Sequence, residues 1–159
     1  MTMRRVVPLL AVLSLSAGAL EAQAAPRGTA GSFTLDDFQG GAWILGRWRG
    51  TGFGRLASVG EFHEEYTLVN DSTVLMRSYE RAPFATATDS TRFEFRNGAI
   101  LAVPSRGSTR TVARIAGDTI QWNGNGVRYV RVDENLWRAL IPMAGAGADT
   151  NYEMRRITP

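Results

Sequence analysis

The chain contains no cysteine, no lysine and a single histidine, His63. Without cysteine there can be no disulfide, thiol nucleophile, iron–sulfur cluster or cysteine-ligated zinc. With one histidine, a zinc site is hard to assemble from the remaining side chains. Because lysine is absent, all eighteen basic residues are arginine, against fifteen acids and a net charge of +3. Guanidinium does not titrate in the accessible range, which accounts for the high isoelectric point. The arginines are scattered among acids, and a nucleic-acid surface would need a patch or stripe. No nucleic-acid partner is therefore expected. There is no Gly-x-Ser-x-Gly elbow and no phosphate loop opening a helix. Gly50-Thr51-Gly52-Phe53-Gly54 precedes no helix, so it reads as a bending strand and not as a phosphate cradle. The sequence does not point to an enzyme, and no cofactor or metal is expected.

One long apolar run is present, and it is N-terminal. Arg4 and Arg5 precede an apolar stretch from Val6 to Leu20, and Ala22-Gln23-Ala24 fits the small-x-small cleavage rule. The expectation is a signal peptide over residues 1–24, cleavage before Ala25, and a periplasmic or secreted protein. The stretch is too short and too rich in Ser, Gly and Ala to make a good membrane span, and no cysteine follows it to carry a lipid. No stable membrane anchor is expected. Residues 25–41 read as a flexible lead-in with one short helical turn near Phe33–Gln39, which Thr34 could cap.

From Trp43 onward the chain is almost unbroken strand signal. Alternation predicts about ten strands, near 43–54, 60–69, 73–81, 88–96, 99–104, 108–116, 118–123, 126–132, 136–143 and 149–157. Asn70-Asp71-Ser72, Asn97-Gly98, Gly117-Asp118, Asn123-Gly124-Asn125-Gly126 and Asp133-Glu134-Asn135 supply the turns. Loops this short leave no room for a crossover helix, so the sheet is an antiparallel meander. A meander has two edges unless it closes, and closure removes both. The fold class is thus all-β, a single up-and-down barrel over residues 42–159, wide enough to enclose a ligand cavity.

Glycines 46, 50, 52 and 54 share one strand row with Trp48, as expected of a strand that bends and lets another backbone approach. A buried indole needs a hydrogen-bond partner or a cationic stack. Arg155 or Arg156 on the last strand can provide it, because closure pairs the last strand with the first. Phe93 and Phe95 share a face, and the lumen is the natural place for them. A symmetric turn about Asp71 sets Glu65 opposite Arg77, with Tyr79 in the same row. The expectation is that Glu65, Arg77 and Tyr79 face the lumen and orient the polar end of a bound molecule; the alternative is an ion pair that ties two strands at the surface.

The run Trp43-Ile44-Leu45-Gly46-Arg47-Trp48-Arg49-Gly50-Thr51-Gly52 resembles the opening of lipocalin-like, or calycin-like, barrels. The resemblance implies that Gly46-Arg47-Trp48 packs beneath an arginine of the last strand. The order of Glu64-Glu65-Tyr66, Met76-Arg77-Ser78 and Phe93-Glu94-Phe95 also resembles exported bacterial lipocalin-like domains of unknown function. More distantly, Gly46 to Gly52 is similar to the start of nitrobindin-type haem barrels. Those ligate haem through a histidine near the C-terminus, where this chain has Asn151-Tyr152-Glu153-Met154-Arg155-Arg156. The function expected is non-catalytic binding of a small apolar or amphipathic molecule in the lumen. A structural or interaction barrel filled by its own side chains is the alternative, and a haem-binding barrel or enzyme comes third. The sequence is silent on oligomeric state.

Overall fold

The computed structural model describes residues 32–81, 84–124, 126–142 and 151–158. The expected signal peptide and its cleavage site lie outside them. Thr34 opens the first element, helix α1 (Leu35–Gly40), through a capping box. The Asp37 backbone N–H donates to the Thr34 hydroxyl at 3.1 Å, and the Thr34 N–H donates to the Asp37 carboxylate at 2.7 Å. A 3₁₀ turn, Ala42–Ile44, links α1 to the barrel.

Ten strands follow in chain order: β1 (Gly46–Phe53), β2 (Glu61–Asn70), β3 (Thr73–Tyr79), β4 (Asp89–Arg96), β5 (Ala99–Pro104), β6 (Arg110–Ala116), β7 (Thr119–Trp122), β8 (Arg128–Asp133), β9 (Leu136–Leu140) and β10 (Asn151–Arg156). Each pairs antiparallel with its sequence neighbours, and β1 pairs with β10, so the barrel is closed. Trp48 faces Arg156 and Phe53 faces Asn151 across that closing seam. The all-β fold and the closed meander expected from turn chemistry are both present. The geometry is consistent with a lipocalin-like barrel.

The first strand begins three residues later than its hydrophobic pattern suggests. Trp43 belongs to the 3₁₀ turn and not to β1. The physical cause is Arg156. Its guanidinium donates to the carbonyls of Leu45 (2.7 Å) and Trp43 (3.1 Å), and its Nε donates to the Glu134 carbonyl (2.8 Å). Carbonyls that a strand would give to its neighbour are held by a side chain instead. The same guanidinium lies 4.2 Å from the Trp48 ring centroid, and the Trp48 indole donates to the Ile44 carbonyl at 2.7 Å. The expected stack of Trp48 under an arginine of the last strand is therefore made by Arg156. Arg155 lies on the outer face beside Glu153, 3.0 Å away. Gly46 makes room for this corner: its φ is +117°, and a Cβ there would sit 2.5 Å from Arg156 Nη1.

Burial alternates along β1, with Trp48, Gly50 and Gly52 inside and Arg47, Arg49, Thr51 and Phe53 outside. At Gly52 a Cβ would overlap the Leu56 carbonyl. Leu56 lies in a second 3₁₀ segment, Gly54–Val59, that turns the chain back across its own strand. Trp48, Trp137 and Met154 are the largest fully buried side chains. They lie on β1, β9 and β10, so that side of the lumen is packed solid.

A candidate binding cavity in the barrel lumen

The opposite side of the lumen is hollow. A cavity of about 300 Å³ lies between α1 and strands β2 to β8. Its walls are aromatic, from Tyr66, Phe93, Trp122 and Tyr129, and aliphatic, including Val112 and Ile120. Phe38 of α1 also lines it. The chain ahead of the helix is tied to the barrel by the Phe33 N–H, which donates to the Gly98 carbonyl at 2.8 Å in the β4–β5 turn. The short helix thus serves as one wall of the cavity.

The aromatic residues touch in a closed circuit around the lumen. Ring centroids are 6.1 Å apart for Tyr66–Phe93, 5.6 Å for Phe93–Trp122 and 5.5 Å for Trp122–Tyr129. Tyr129–Trp137 at 4.9 Å and Trp137–Tyr66 at 6.3 Å complete it. Contacts at these separations favour fixed relative orientations, so the circuit is a firm wall.

Glu64 lies on the inner row of β2. Its partners across the sheet are Trp48 on β1 and Ser78 on β3. Trp48 is buried in the core, which fixes the row as the inner one. The Tyr66 hydroxyl donates to Glu64 Oε2 at 2.7 Å. Desolvation raises the carboxyl to about 7, although the Tyr66 hydrogen bond acts in the opposite direction. Among the described residues no cation offsets the burial. The charge of Glu64 adds to burial in raising Tyr66, Tyr129 and Tyr152, the last to about 12. Glu64 is partly buried. The buried indole N–H of Trp137 has no hydrogen-bond partner among the described residues.

The expected polar anchor is elsewhere. Glu65 does pair with Arg77, as the symmetric turn predicts. The row that contains them is the outer one, however, because Glu65 also pairs with exposed Arg47 on β1. Arg47 Nε donates to Glu65 at 2.8 Å, the Tyr79 hydroxyl donates to it at 3.1 Å, and Arg77 is 4.0 Å away. The arginine hydrogen bond is the main reason that the Glu65 carboxyl lies below its usual range. Glu65, Arg77 and Tyr79 are thus corrected from the lumen to the outside of the barrel. Tyr79 is buried there because Phe84 packs over it, with ring centroids 5.0 Å apart. Phe84 also covers His63, at 5.6 Å. The only histidine of the chain therefore lies on the outer face of β2.

Phe93 and Phe95 are on the inner row, paired with Ala102 and Ile100. Phe93 lines the cavity, whereas Phe95 packs against the core without lining it. Sequence reasoning weighed Glu64 against Glu65 and settled on Glu65, and it missed Tyr66 and Tyr129 as lumen residues. A signal for Glu64 and Tyr66 existed, since Phe62, Glu64, Tyr66 and Leu68 form one row of β2.

An outer-face ion pair at about 42% side-chain exposure contributes little, about 0–1 kcal/mol. Arg77→Ala should accordingly leave urea stability almost unchanged. A loss of about 3 kcal/mol or more would return the pair to a desolvated site.

No protein-family model matches the chain, and neither a curated protein nor a solved structure matches it.

Proposed function

We propose that this protein is an exported, non-catalytic lipocalin-like barrel that binds a small, partly apolar molecule in its lumen beneath α1. One observation carries the reading: a cavity of about 300 Å³ with aromatic and aliphatic walls lies inside a closed barrel. Ligand pockets begin at about this size and have this composition. The Gly46-Arg47-Trp48 corner beneath Arg156 supports the lipocalin-like likeness, because it is the arrangement that the resemblance implies. The apolar N-terminal stretch supports export.

The competing structural barrel draws on the other side of the lumen, which Trp48, Trp137 and Met154 fill. A haem reading has less to stand on, since His63 is turned away from the lumen under Phe84. Native mass spectrometry of protein purified from its source distinguishes the readings. The expected spectrum shows a small organic adduct that leaves on gentle activation or unfolding. A bare chain mass under conditions that preserve non-covalent adducts would favour the structural barrel.

A further inference from the structure

We propose that the lumen is selective for a ligand with a cationic amine head on a small apolar body, and that Glu64 receives the head. This rests on the lumen-binding reading above and names its ligand class.

The geometry places the acceptor directly behind one wall of the cavity. Tyr66 joins the two, since it lines the cavity and its hydroxyl holds Glu64 Oε2. The other carboxylate oxygen accepts no hydrogen bond from the described residues, and it is not among the buried polar atoms sealed off from water. It is an unused acceptor on the inner row of β2. An ammonium offers three donors and a full charge, which suits an acid that no arginine among the described residues balances. The surrounding aromatic rings of Tyr66, Tyr129 and Trp137 favour the same sign of charge, because ring faces attract cations.

The groups that bear on Glu64 come from three strands: Tyr66 on β2, Tyr129 on β8 and Tyr152 on β10. Three arginines lie opposite buried inner residues: Arg156 opposite Trp48, Arg131 opposite Trp137 and Arg110 opposite Ala102. Arg156 is taken up by three backbone carbonyls and Arg131 stands beside Asp118, which leaves Arg110 to be weighed. Arg110 on β6 pairs with buried Ala102, shares the inner row and acts on Tyr129. An anionic ligand would choose it. Glu64 is hydrogen-bonded to Tyr66 of the cavity wall, so that side of the lumen is set for a cation.

Three probes of nearly equal size test this: 1-naphthylmethylamine as the ammonium, 1-naphthylmethanol as the neutral analogue and 1-naphthoate as the anion. Binding is read by calorimetry on the folded wild-type protein, Glu64→Gln and Arg110→Ala. The ammonium should bind at least tenfold tighter than the other two near pH 8. Its affinity should rise between pH 5 and pH 8 as Glu64 ionises. In Glu64→Gln the preference and the pH dependence should both disappear, while the neutral alcohol binds as before. If the alcohol binds as tightly as the ammonium to wild type, the amine proposal is overturned and lumen binding survives. Tightest binding of naphthoate, lost in Arg110→Ala, would also overturn it and make Arg110 the anchor. If none of the three binds, the lumen reading itself fails.

Discussion

Trp48→Ala should destabilise the barrel by about 3–5 kcal/mol in urea unfolding, the usual cost of truncating a buried aromatic side chain. Trp48 is 1% exposed, its ring stacks under Arg156 and its indole holds the Ile44 carbonyl. The variant therefore opens a cavity and releases the 3₁₀ turn that leads into β1. Arg156→Ala should also destabilise the barrel, because it removes the stack and takes a donor from the carbonyls of Trp43, Leu45 and Glu134. Arg155→Ala should be nearly neutral, since that side chain is 58% exposed. A Trp48→Ala loss below about 1 kcal/mol would show that this corner does not hold the closing seam.

The second large effect is a dependence of stability on pH. Glu64 is raised from an ordinary 4.5 to about 7 in the folded protein. The folded state consequently holds a proton that the unfolded chain has lost between those values. Stability should be greatest at or below about pH 4.5 as far as this group is concerned, fall as pH rises towards 7, and level off above. At about 1.4 kcal/mol per pKa unit the total is on the order of 3 kcal/mol. Glu64→Gln keeps the shape of the side chain and an acceptor for the Tyr66 hydroxyl without the ionisation. It should match wild type near pH 4.5 and exceed it by up to about 3 kcal/mol at pH 8. Stability profiles of the two proteins that run parallel from pH 4.5 to pH 8 would show that Glu64 is solvated.

The elements that were legible in the sequence are those with local causes. Turns such as Asn97-Gly98 and Gly117-Asp118 carry their own chemistry, so the ten strands and their antiparallel order followed from them. The seam corner was legible because closure forces the first strand against the last, and only two arginines occupy the end of that last strand. The facing of β2 was not legible. Glu64 and Glu65 are chemically identical neighbours, and a shift of one residue exchanges the two faces of a strand. Alternation of polarity decides such cases elsewhere. Here the outer face of β2 carries His63 and meets Tyr79 on β3, and the fold then covers both with Phe84 from the β3–β4 connection. That cover is a tertiary contact without a local signal. The part played by α1 was hidden for a similar reason. Its single buried residue, Phe38, shows no periodicity, so nothing in the helix itself announces that it walls a cavity.

A titration with N-phenyl-1-naphthylamine, an uncharged fluorophore of a size suited to the cavity, tests lumen binding most directly when wild type is compared with Val112→Phe. Val112 is buried and lines the hollow side of the barrel, so a phenyl ring there occupies the space that a ligand would take. The strain of the larger side chain should cost about 1–3 kcal/mol, and unfolding curves will show that the variant remains folded. The expected result is a saturable rise in fluorescence at one site per wild-type chain and its loss in folded Val112→Phe. Absence of saturable binding to wild type, or equal binding to both proteins, would contradict a ligand site in the lumen.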